Sequence, residues 1–104
     1  FRNVGGRILL GGGRNLDPEG ETTTDFGRTE VIQNRLETLL EEVILPGSEF
    51  KIAHRWSGIM GVGAQKKPIL RKLSDNVACG VRLGGMGIAI GSHTGTELAR
   101  LGGQ

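Results

Sequence analysis

The chain has 104 residues, the length of one small domain, with a formal net charge of +2 and 37% hydrophobic residues. Three phenylalanines, one tryptophan and no tyrosine leave little to stack on bases, and the basic residues are scattered among acidic ones, which argues against a nucleic-acid partner. One cysteine excludes a disulfide framework, and no apolar run approaches the roughly 18 residues of a membrane span.

Nineteen glycines far exceed the usual share of about 7%, and neither a collagen period nor low complexity explains them. They cluster where the chain turns or approaches something closely: Gly5-Gly6, Gly11-Gly12-Gly13, Gly84 to Gly87 and Gly102-Gly103. The start at Phe1-Arg2-Asn3, without a methionine, suggests a piece of a longer protein. The single cysteine fits a reducing compartment, so a cytoplasmic location is expected.

In chain order, Arg7 to Gly11 reads as a short buried strand ending in a glycine turn. Residues 12–28 are polar, with Asp17-Pro18 and Glu19-Gly20 as turn pairs, and form a loop long enough to be functional or mobile. Thr29 is the expected N-cap of a helix over 29–45, with Glu30 in its first turn. Ile32, Leu36, Leu39, Leu40, Val43 and Ile44 recur at helical spacing, and Pro46-Gly47 ends the helix. This stripe is expected to lie on a sheet formed by strands at 7–11 and 49–57. The second strand is read from Phe50, Ile52, His54 and Trp56 alternating with Lys51, Ala53 and Arg55.

Residues 57–65 are irregular, Lys66-Lys67-Pro68 leads into Ile69-Leu70, and Ser74-Asp75-Asn76 is a turn. A strand over 77–81 and the loop Gly84-Gly85-Met86-Gly87 come next, then a helix over about 86–101. Gly87, Gly91 and Gly95 line up on that helix as a ridge without side chains, at a cost of about 1 kcal/mol each relative to alanine. Such a ridge needs close approach of another backbone or of a flat ligand. The first amides of the helix are unpaired and partly positive, suited to electron-rich oxygens.

The loop lacks the known nucleotide signatures. Ile90 stands where a dinucleotide fingerprint needs its third glycine, and no lysine follows Lys72 to make a P-loop. His54 and His93 have no partners at metal-ligand spacing. Ser92-His93-Thr94 contains nucleophile and base types, but neighbours on a helix do not face one another. Cys79, in an apolar run, reads as a small packed thiol, and Lys66-Lys67 as a solvated turn.

Trp56-Ser57-Gly58, a basic patch, Pro68-Ile69, a short turn, an apolar strand and Gly84-Gly85-Met86-Gly87-Ile88 with its helix occur in that order. Together they resemble the carboxyl end of the FAD-dependent amine and amino-acid oxidases, of the D-amino-acid oxidase and glycine oxidase type. The resemblance spans about residues 50–101 and implies an α+β or α/β fragment. Residues 1–67 would end a substrate-binding domain, contributing part of its sheet, and 68–104 would supply the closing strand, loop and helix of a flavin-binding domain.

It further implies FAD as cofactor of the parent protein, with Arg82, Gly84, Gly85, Met86, Gly87 and Ile88 along it, and Arg55, Trp56 and Met60 near a small amine or amino-acid substrate. No catalytic side chain is identified, because the flavin accepts the hydride. Met60 stands where relatives that oxidise amino acids often place a carboxylate-clamping arginine, a role left to Arg55, Arg82 or Arg14. The part holding the ADP half of FAD is absent from this chain, so the isolated piece is expected to be inactive and flavin-free. It is also expected to self-associate through surface that the remainder of its parent would cover. The alternative is a small non-catalytic α/β module for protein association.

Overall fold

A computed structural model describes residues 1–103, and Gln104, the last residue of the second expected domain, lies outside the described residues. The described residues form a small α+β fold with two antiparallel two-stranded sheets and two helices. It forms two compact units, Phe1–Ile59 and the residues from Met60 onward. Residues 60–67 fall in the second unit, with the β-hairpin and helix that come after them.

In the first unit, strands β1 (Arg2–Val4) and β2 (Arg7–Leu9) pair in the register Arg2 with Leu9 and Val4 with Arg7. The hairpin closes through Gly5 and Gly6, at φ 58° and 76°, the left-handed pair that a tight two-residue turn demands. Asn3 Oδ1 accepts a bond from the Gly6 amide.

Helix α1 (Glu30–Leu39) comes after the long loop and continues as one wider turn over Leu40–Ile44, where the Leu45 amide reaches back five residues to the Leu40 carbonyl. Thr29 precedes the helix, but its side chain does not cap it; the hydroxyl donates to Glu21 Oε1 at 3.1 Å instead. Gly13 sits against α1, where an added Cβ would lie 3.4 Å from Ile32 Cγ2.

Two expectations for this unit fail. Residues 49–57 form no strand, because an alternating pattern becomes a strand only when a partner completes its ladder, and β2 pairs with β1. The stripe of α1 is therefore left without a sheet to bury it. Ile32, Leu36, Leu39 and Leu40 are half-buried, and Val43 is 66% exposed. Among the described residues no hydrophobic side chain is fully buried.

The second unit has a tighter arrangement. Strands β3 (Ile69–Ser74) and β4 (Val77–Val81) pair from Ile69 opposite Val81 to Ser74 opposite Val77, with a register shift between Lys72 and Ser74. Helix α2 (Gly87–Gly102) lies on the hairpin face that carries Leu70 and Gly80. The closest approach is at Gly80, where an added Cβ would fall 2.7 Å from Leu98 Cδ1, 3.0 Å from Thr94 Cγ2 and 3.1 Å from Leu70 Cδ2. The glycine ridge of α2 does not make this contact. Added Cβ atoms at Gly91 and Gly95 would meet nothing within 4 Å.

Thr94, 5% exposed, is the one buried residue among those described, and its hydroxyl has no partner. A buried hydroxyl left unpaired costs about 1–3 kcal/mol. Thr94→Val, which keeps the shape, should therefore raise stability by about 1 kcal/mol. Urea unfolding checks this, and a less stable variant would mean that the hydroxyl is used.

Candidate functional site

Residue Leu83 starts a four-residue turn that Met86 closes, its amide donating to the Leu83 carbonyl at 2.9 Å. The two central residues, Gly84 and Gly85, have φ 60° and 83°. Positive φ at both positions makes a tight turn that only glycine enters without strain. Helix α2 begins at once, and its first returning bonds run from the Ala89 and Ile90 amides to the Met86 carbonyl, each 3.0 Å. The Gly87 and Ile88 amides thus precede the first helical bond, at the positive end of a 16-residue helix. The Met86 amide, expected to be open to a ligand, is committed to the turn.

The segment after Ile59 lies along this turn. Gly61 accepts a bond from the Gly84 amide at 2.9 Å, and an added Cβ on Gly61 would lie 3.2 Å from Arg82 Cα. An added Cβ on Gly63 would fall 2.7 Å from Arg82 Cδ and 2.9 Å from Nη1. Met60 lies across Gly85, where an added Cβ would be 2.8 Å from its sulfur. Gly61, Gly63 and Gly85 are small because a backbone or side chain passes over each of them.

Arg82 is the one residue other than glycine with positive φ among those described, at 63°. That conformation costs roughly 1–2 kcal/mol and persists only where neighbours impose it. Here the neighbours are Gly61, Gly63 and the Lys67 carbonyl, to which Arg82 Nη2 donates at 2.9 Å. Its Nε is buried without a partner. Arg82 is therefore not an ordinary surface arginine.

Three residues singled out from sequence, Met60, Arg82 and Gly85, are thus brought together, with Gly84, Met86, Gly87 and Ile88 continuing the same stretch of backbone. Ile88 projects fully exposed and Met86 is largely so. From sequence, Gly61 and Gly63 are only glycines of an irregular segment, although two spaced two apart are the signal of a backbone passing close to something.

Arg55 and Trp56 belong to the first unit. Arg55 is engaged with Glu37, its Nε and Nη2 both 2.9 Å from Glu37 Oε1, so its fork already holds a carboxylate. Trp56 is 67% exposed and does not pack in a core. Ser57 Oγ donates to the Gly27 carbonyl, tying the end of the long loop to the Trp56-Ser57-Gly58 segment.

The Arg55 guanidinium, aided by the Gln33 side-chain amide, holds the Glu37 carboxyl below its ordinary value of 4.5. A carboxyl lowered by folding contributes stability that is present above the unfolded value and is lost as pH falls through the folded one. Glu37→Gln should therefore flatten the acid limb of the stability–pH curve below 4.5 and change little near neutrality. Thermal unfolding across pH checks this, and an unchanged acid limb would show that the pair does not persist in solution.

No helix of the described residues is long and apolar enough to cross a membrane. No protein-family model, curated protein or solved structure matches the chain.

Proposed function

We propose that this chain supplies the closing part of an FAD-dependent oxidoreductase that oxidises a C–N bond of an amine or amino acid. The observation that carries the reading is the turn Leu83–Met86, with glycine in left-handed conformation at both central positions, delivering the unpaired Gly87 and Ile88 amides at the start of α2. Amides so placed fit electron-rich carbonyl oxygens of the kind a flavin ring carries. When bound, the flavin supplies the hydride acceptor.

The chain's own residues do the rest. The Gly87 and Ile88 amides would hold a carbonyl oxygen of the group and would stabilise negative charge there in the manner of an oxyanion site. Gly84, with open space beside it, would leave room for the ring, and the exposed Met86 and Ile88 would give it an apolar edge. Met60, lying on Gly85, is placed to contact an apolar part of the substrate. With Arg55 held by Glu37, a substrate carboxylate would have to be clamped by a residue outside that pair. With Arg82 directed to the Lys67 carbonyl, Arg14 or a residue of the parent would take that role for an amino-acid substrate.

Anaerobic addition of sarcosine, benzylamine or D-proline to the complete protein tests the activity. Loss of oxidised-flavin absorbance with at least one of them is the expected result. A flavin that none of a broad series of amines and amino acids reduces would contradict C–N oxidation while leaving flavin binding intact.

A second reading, a module for protein association, is favoured by the other face of the β3–β4 hairpin. Ile69, Val77 and Val81 stand exposed there, on the side away from Gly80 and α2. Strands apolar on both faces belong inside a larger assembly. In the flavoprotein reading the remainder of the parent covers this face. For the isolated chain, sedimentation velocity should show concentration-dependent association through it, and Val81→Lys should abolish that association.

A further inference from the structure

We propose that Arg82 is a positioning residue. Its guanidinium fastens the Gly61–Lys67 segment against the Leu83–Met86 turn, and this holds the turn in its doubly left-handed form. The fastening rests on contacts within residues 60–103. Only its consequence for a cofactor rests on the flavin reading above.

Four contacts converge on this segment. The Gly61 carbonyl takes the Gly84 amide, and the Gly61 backbone lies against the Arg82 backbone. Gly63 leaves the space through which the Arg82 side chain runs, so that Nη2 reaches the Lys67 carbonyl. Met60 then closes over Gly85. The backbone of Arg82 is held in a conformation that an arginine does not choose. A guanidinium facing solvent would need neither the left-handed backbone nor the two glycines. Both features are accounted for if the guanidinium is directed back along the turn to tie the Gly61–Lys67 segment down. Arg82 thereby acts through the loop, and the open amides of Gly87 and Ile88 are left for the ligand.

Two variants loosen the fastening from opposite sides. Arg82→Lys keeps the charge but loses the fork. Gly63→Ala leaves Arg82 unchanged and puts a methyl group where its side chain runs. Residue-resolved amide hydrogen exchange of the complete protein, followed by NMR, reads the result at the Gly84 amide. Each variant should accelerate exchange there by about tenfold or more, the effect of weakening one hydrogen bond, and the double variant should add little. The amides of the β3–β4 ladder should stay within about twofold of wild type, because the opening is local.

A Gly84 amide that exchanges at the wild-type rate in both variants would overturn the proposal. So would acceleration spread evenly over the ladder, since that reports general destabilisation. If one variant fails to fold, the other decides. Flavin affinity is measured alongside. Weaker affinity in both variants supports the link to the cofactor. A wild-type protein that binds no flavin defeats the flavin reading, while the exchange data still decide the fastening.

Discussion

Gly80→Val should separate helix α2 from the β3–β4 hairpin and abolish cooperative unfolding of the second unit. A single added Cβ already falls within 3.1 Å of Leu98, Thr94 and Leu70, and a branched side chain adds two more carbons to that crowded space. Overpacking of this kind costs about 1–3 kcal/mol for one group, a large share of what a small unit has to lose. Gly80→Ala should show the smaller form of the effect, about 1–3 kcal/mol in urea unfolding. Combining it with Leu98→Ala, which removes the nearest obstacle, should recover much of that loss, a coupling expected only between groups in contact. Independent, additive losses would mean that α2 does not lie on Gly80.

If the chain closes a flavin site as proposed, Gly87→Val should leave the fold nearly intact and lower flavin affinity about tenfold or more, equivalent to at least 1.4 kcal/mol. Gly87 does not have positive φ, and an added Cβ would meet Leu83 Cδ1 at an acceptable 3.4 Å, so the backbone tolerates a side chain. Glycine is also the poorest helix former after proline, which makes the replacement close to neutral for α2. The branched group would occupy the space beside the Gly87 and Ile88 amides. Flavin content per polypeptide, set against the melting temperature, separates the two effects. Full occupancy with normal activity would show that the loop is purely structural.

The contrast between Gly80 and Gly87 shows what could be read before the fold was known. Local features were legible. The Ser74–Asn76 turn, the strand over 77–81 and the last helix all appear within a residue or two of their expected bounds, because turn chemistry and period are written in adjacent residues. The positive φ of Gly84 and Gly85 was legible for the same reason.

Tertiary pairings were not. The alternation at 50–57 promised a strand, but nothing in those residues names a partner, and none pairs with them among the described residues. Gly5-Gly6 signals a turn, but the three residues Arg2–Val4 that pair across it are too few to show a strand period. The ridge Gly87-Gly91-Gly95 announced a close approach, which the fold makes instead at Gly80, because Thr94 and Leu98 are the residues α2 turns toward the hairpin. In the candidate site, Arg82 and the loop were visible. The Gly61 and Gly63 that hold Arg82 became meaningful only when the backbone brought them alongside.

The most direct test of the flavin reading is the absorption spectrum of the parent protein that this reading proposes, purified without added cofactor. A band near ~450 nm, released on denaturation as FAD, is the predicted result. A well-folded, colourless protein that takes up no FAD on reconstitution would contradict it.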